Sequence, residues 1–280
     1  MEVLLIVVGR VVSLTGERIF LHVLGEGEPG PVTTTIAFGG AAALLWAVAW
    51  ASGHAQIAPA AFFPSIIYAC SFAIYTAALS KGAVSAVSPW SNLSVLFLFL
   101  VAPDSGWWAW SGLAALGMGT ALLVTGTTTD VIPVWMMIGA DVLFVVARVL
   151  DVGRAPGSAV TYAANLYGWV TVWIGGFALA LGQGHRIIPL VQRRLRWSFL
   201  SSLTNAASYL SFILLMPRLP LWVIEGLGSI AALIATLIGS FWLLEAMAWR
   251  KIVGSSLMSL GAVLLLLGHW TVGGAWSFLR

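Results

Sequence analysis

Apolar residues in this chain come in runs of about twenty, separated by short polar or turn-forming intervals, and ten such runs can be marked out. A bilayer core about 30 Å thick takes roughly 20 residues of α-helix, and a helix satisfies its own backbone polar groups within the segment. The pattern predicts spans at residues 3–23, 31–51, 57–80, 83–102, 106–126, 131–150, 157–182, 197–216, 219–243 and 248–270. Glycine, proline or charge punctuates the intervals, as in Glu26 to Pro31, Ser52 to Gln56, Lys81-Gly82, Pro103 to Gly106, Asp151 to Ser158 and Pro217 to Pro220. The third and fourth runs nearly abut, as do the eighth and ninth, which predicts tight antiparallel hairpins. The expected fold is an all-α membrane protein with ten transmembrane helices.

Composition excludes a soluble alternative. Residues are 60% hydrophobic and only 8% charged, whereas soluble domains carry about a quarter charged residues. The longest polar interval, 183–197, has room for a short helix or loop and no more. A net charge of +3, spread over loops, offers no basic face for nucleic acid. The single cysteine, Cys70, excludes an intrachain disulfide and any multi-cysteine metal site, and no cofactor is expected. Glu2 and Arg10 break the pattern of a secretory leader, so the first run reads as a spanning helix. Many of the 15 Trp, such as Trp107, Trp108, Trp197 and Trp249, sit at run ends, where indoles anchor at the membrane interface.

Two correspondences suggest a duplication. Gly112, Gly119 and Gly126 match Gly254, Gly261 and Gly268 at an offset of 142, and Arg10 and Glu17 match Asp141 and Arg148 at an offset of 131. The polar stretch at 183–197 can absorb most of the difference. The predicted units are residues 1–128 and 129–280. Five spans per unit deliver the second copy upside down, giving two inverted five-helix repeats, an arrangement that places a substrate site near the midplane between the halves.

The end of the chain carries a family resemblance. Phe241-Trp-Leu-Leu-Glu245, a short basic turn, then Gly254, Gly261 and an apolar run to Gly268 resemble the leucine-rich helix, acidic turn and glycine-spaced last helix of the drug/metabolite transporter superfamily, in particular its EamA-like branch. Tyr75 to Leu79, Lys81 to Ser85, Pro89 and Asn92 echo the pattern in the first half. The resemblance implies ten helices, secondary transport of small organic solutes, commonly export, and cytoplasmic termini. The charge count points the other way: one side receives Lys81, Arg186, Arg193, Arg194, Arg196, Arg250 and Lys251, and the other Arg154, Arg218 and Arg280. By the positive-inside rule both termini are expected outside a bacterial or archaeal plasma membrane.

Ionisable groups within spans are costly and should face a cavity or the protein interior. Arg10 and Glu17 share one face of the first helix, and Asp141 and Arg148 one face of the sixth. With antiparallel helices, Glu17 and Asp141 fall in one membrane half and Arg10 and Arg148 in the other. The acids are candidates for proton uptake, the bases for holding an anionic substrate group or forming gate ion pairs. Glu225 lies about six residues into the ninth run. Arg18 and Arg148, near helix ends, are also placed to snorkel to the interface. Asn92, Asn205 and Asn165 are candidate hydrogen-bonding groups, with Tyr68 and Trp90 among the aromatic candidates. Ser201, Asn205, Ser208 and Phe212 form a stripe on the eighth helix, and Ser85, Ser88 and Asn92 another on the fourth. The glycine triplets read as packing faces.

These features predict a secondary transporter of small organic solutes such as amino acids, working as a monomer or homodimer and driven by a proton or solute gradient, since no phosphate-binding loop is present. A lipid-carrier flippase of the same superfamily shares every helix-level feature. An intramembrane enzyme would need a nucleophile with its base, or a metal cluster, and the four histidines stand singly.

Overall fold

The computed structural model describes residues 2–101, 106–124, 131–152, 158–243 and 249–271. Gly126, Arg154, Glu245 and Arg280, singled out above, lie outside them. The described residues contain α-helices and short 3-10 turns and no strand: α1 (Glu2–Gly25), α2 (Gly30–Ala51), α3 (Phe62–Lys81), α4 (Val84–Val87), α5 (Leu93–Val101), α6 (Trp107–Val124), α7 (Val131–Asp151), α8 (Ala159–Ala180), α9 (Ile187–Arg193), α10 (Leu195–Leu215), α11 (Leu221–Phe241) and α12 (Trp249–Thr271). Six segments are long and apolar enough to cross a membrane: Gly30–Ala51, Pro59–Lys81, Val131–Asp151, Ala159–Ala180, Leu195–Leu215 and Leu221–Phe241. α1 is as long, but it carries Glu2, Arg10, Glu17 and Arg18.

Local chemistry sets the boundaries. Pro29 and Pro31 start α2, and Gly53, with φ of +73°, turns the chain beyond its end. The Ser158 hydroxyl accepts from the Thr161 N–H to open α8, and Gly182 at φ +69° follows its last turn. One predicted helix is not continuous. Residues 83–102 form α4, a 3-10 stretch at Ser88–Asn92 containing Pro89, and then α5. Proline has no N–H to donate, and its ring crowds the preceding turn. The loosened backbone is rebonded locally, Ser91 Oγ donating to the Ser88 carbonyl at 2.8 Å and Ser94 Oγ to the Ser91 carbonyl at 2.9 Å.

The fold is apolar outside and ionic inside. On α1, Leu5 is 66% and Val12 65% exposed, while Arg10 is 1% and Glu17 4% exposed. Such an inversion is stable only where the surrounding solvent is hydrocarbon. α1 packs on α10 and α7 on α3; α2 packs on α8 and α6 on α12; and α11 lies between α12, α1 and the broken segment.

Glycines make the α6–α12 contact possible. A Cβ built on Gly119 would stand 2.5 Å from the Gly254 carbonyl oxygen, one on Gly112 2.8 Å from that of Gly261, and one on Gly261 2.6 Å from that of Gly112. The two glycine rows therefore meet backbone to backbone in antiparallel register, each as the packing face expected of it. Gly117, on the same helix, has nothing within 4 Å of its would-be Cβ. We expect Gly119→Ala to lower stability in detergent by about 1 to 3 kcal/mol through overpacking, and Gly117→Ala to be neutral or slightly stabilising. Thermal unfolding of the two variants measures the difference.

Candidate functional site

α1, α7 and α11 bring their charged side chains to one cavity of about 40 Å3, room for roughly three water molecules. Its lining is ionic at the centre, with Arg10, Glu17, Arg18, Asp141, Arg148 and Glu225. Aromatic rings from Phe72, Tyr75, Phe144, Tyr167 and Tyr209 enclose it, and hydroxyls from Ser91, Ser94 and Ser208 complete it. Residues 10 and 17 lie nearly two helical turns apart, about 10 Å along α1, so the charges separate into two layers.

The layer nearer the start of α1 holds two guanidiniums on one carboxylate. Glu225 Oε1 lies 2.8 Å from Arg148 Nε and 3.4 Å from Arg10 Nη2. Arg10 Nη1 also donates to the Ser208 carbonyl at 2.7 Å and to its hydroxyl at 3.2 Å. Both cations lie against the face of Phe212, Arg148 at 4.0 Å and Arg10 at 5.2 Å from the ring centre, where the ring quadrupole favours them. Arg148 Nε and Nη1 and Arg10 Nε make no hydrogen bond of good geometry.

The second layer is different in kind. Glu17 and Asp141 are 4% and 1% exposed, and among the described residues neither has a basic nitrogen within 4 Å. Asp141 Oδ2 accepts the Ser94 backbone N–H at 3.3 Å, a donor at the start of α5 just past the break. Irregular backbone at membrane depth persists where it lines a cavity, and here it supplies a group to one. Arg18 donates to the Gly228 carbonyl at 3.0 Å and to Ser91 Oγ at 2.7 Å, tying α1 to α11 and to the break.

Beyond the first layer, at the end of α7, stands a carboxylate that the sequence analysis assigned to a turn. Asp151 is fully buried and accepts three phenolic hydroxyls: Tyr68 from α3 at 2.6 Å, Tyr162 from α8 at 2.5 Å and Tyr209 from α10 at 2.9 Å. Charge-assisted bonds of this kind are about twice as strong as neutral ones. The helix C-terminus itself disfavours an anion, so the tyrosines are what make the charge tolerable there.

Five of the sequence-predicted residues line this cavity together: Arg10 and Glu17 from one face of α1, Asp141 and Arg148 from one face of α7, and Glu225 from α11. Snorkelling does not occur: Arg18 and Arg148 are 3% and 8% exposed and point inward. The remaining candidates do not line this cavity. Asn205 sits behind it, its Oδ1 accepting from Tyr167 at 3.3 Å. Asn92 donates toward Met258 Sδ at 3.9 Å, away from the charges. Asn165 bonds the Gln56 and Thr161 carbonyls, both at 2.8 Å, strapping the α2–α3 loop to α8. Tyr68 serves Asp151, and Trp90 is buried in the broken segment without lining the cavity. Sequence reasoning missed Arg18, Asp151 and Tyr167 as members of the site. One signal could have found Tyr167: all five tyrosines of the chain fall inside apolar runs, while many of the tryptophans sit at run ends.

No family model and no curated protein matches this chain. A solved structure described only as "Crystal structure of protein" superposes with a TM-score of 0.71 over 96% of this chain and 99% of that one, at 15% identity. The likeness is one of fold.

The Asp151 cluster makes a graded prediction. Each single Tyr→Phe change at 68, 162 or 209 removes one bond to a charged acceptor, costing about 1.5 to 3 kcal/mol. Asp151→Leu leaves three buried hydroxyls without an acceptor and is expected to destabilise more than any single phenylalanine variant. Thermal unfolding of the four variants in one detergent reads the order.

Proposed function

We propose that this chain is a secondary-active transporter of small organic solutes, working by alternating access and acting as an exporter. The carrying observation is the buried ionic cavity where α1, α7 and α11 meet. Two carboxylates there, Glu17 and Asp141, have no basic partner within 4 Å among the described residues. A buried carboxylate with no base in direct contact is a natural proton acceptor, and acids of this kind mark proton and substrate pathways in membrane proteins.

The helix pairings support a ten-helix inverted repeat. If α1, α2, α3 and α6 correspond to α7, α8, α10 and α12, then α1 on α10 becomes α7 on α3, and α2 on α10 becomes α8 on α3. The α2–α8 and α6–α12 pairs map onto themselves. Each of these contacts is present. The same correspondence explains why the two glycine rows face each other, and it puts the cavity between the repeats. An ionic lining suits a small polar solute better than the polyprenyl or acyl chain of a lipid carrier. In this reading both termini lie outside, as the Lys/Arg count implies.

The test is solute flux in proteoliposomes under an imposed pH gradient, with amino acids and small amphiphiles as the panel. Gradient-driven flux is expected in the wild type and is expected to fall to background in Glu17→Gln and in Asp141→Asn, both still folded. Unchanged flux in both variants would reduce the two acids to structure.

A further inference from the structure

We infer that the Arg10–Arg148 layer is a seat for a carboxylate group of the transported solute, and that Glu225 occupies it as an internal stand-in while the seat is empty. Two guanidiniums converge there on a single carboxylate, and Glu225 reaches both through one oxygen, Oε1, at 3.4 and 2.8 Å. Arginine and carboxylate prefer two parallel N–H···O bonds, so neither pairing uses the fork that makes arginine selective for carboxylates. The shortfall is visible in the donors: Arg10 Nε and Arg148 Nη1 are buried and make no hydrogen bond, and Arg148 Nε meets Glu225 Oε1 at 2.8 Å out of line. Buried donors left without acceptors are rare in settled structure and mark a place that a ligand can complete.

The surroundings favour an exchange over a fixed ion pair. Phe212 holds both cations by their faces and Ser208 fixes one edge of Arg10, so the guanidiniums are set in place. Glu225 comes from a different helix, α11, and borders the cavity itself. An entering carboxylate that takes two bonds from Arg148 displaces Glu225 without leaving either cation unpaired, because one anion replaces another. Selectivity follows from the same geometry. An amide or amine in that place would leave two guanidiniums facing a neutral or positive group, so the solute class is carboxylates, with amino acids included through their carboxyl end.

This assignment deepens the transporter reading and rests on it for its meaning, but its test does not require transport. Glu225→Ala removes the stand-in, and Glu225→Gln removes its charge while keeping its bulk. The melting temperature in detergent is expected to fall by about 5 to 10 °C in either variant, as for a buried ion pair with one partner removed. Sodium acetate should restore most of that loss in Glu225→Ala and less in Glu225→Gln, whereas acetamide, or sodium chloride at the same ionic strength, should not. Equal recovery in chloride would make the layer a general anion site and overturn the carboxylate assignment; no recovery in acetate would overturn the seat altogether. Should neither variant fold, the wild type decides. In it, amino acids should raise the melting temperature where their carboxamides do not, and Arg148→Gln should abolish the difference; equal shifts from acid and amide overturn the proposal. Rescue without flux would sink the transport reading and leave the seat standing, and flux without rescue the reverse.

Discussion

A charge in hydrocarbon dominates every other term in this structure. Each ionised side chain at bilayer depth costs about 2.5 to 3.5 kcal/mol on insertion scales, and Arg10, Glu17, Arg18, Asp141, Arg148, Asp151 and Glu225 are all nine-tenths or more buried. They are kept by turning inward, onto one another or onto hydroxyls and backbone groups of neighbouring helices. That requirement places α1, α7 and α11 at the centre, with their charged faces turned inward. It also explains why Leu5 and Val12 look out from the same helix that hides Arg10.

The rest of the architecture divides between groups that hold and groups that serve the charges. Where α6 meets α12, the glycines let backbone lie on backbone, so the attraction there is dispersion at short range. At the centre, polarity is supplied at small steric cost. The break at Pro89 offers the Ser94 N–H to Asp141, and the Gly228 carbonyl accepts from Arg18. Tyrosine does what neither glycine nor serine can, packing an apolar ring while presenting a donor. All five are used around the site: three on Asp151, Tyr167 on Asn205, and Tyr75 on the cavity wall.

How much of this could be read from the sequence followed from the range of each signal. Helices were legible because apolar runs and turn residues are local, and the spacing of Arg10 with Glu17 and of Asp141 with Arg148 placed both pairs on shared faces before any contact was known. The break in 83–102 was harder to see, since Pro89 sits in an otherwise apolar run where prolines are tolerated. Asp151 was misassigned because a charge at the end of an apolar run looks like a loop, and the three tyrosines that bury it lie on α3, α8 and α10. Arg18 was misjudged for the same reason: whether a long side chain bends outward or inward depends on partners from other helices, here Gly228 and Ser91.

In the proposed transporter, the different chemistry on either side of the charged layers bears on how a cavity of only about 40 Å3 could admit an organic solute. Toward the start of α1, Asp151 joins α3, α7, α8 and α10 through three phenols; toward its end, Arg18 joins α1, α11 and the broken segment through a carbonyl and a hydroxyl. Releasing one set of bonds need not disturb the other, because no residue belongs to both. Arg10, Arg148 and Glu225 lie between them. The proposed alternating access needs two closures that release independently around a fixed site, and two hydrogen-bond sets with no shared residue suit that proposal. In that proposal the α6–α12 pair, fastened backbone to backbone, is the part that stays still while either closure opens.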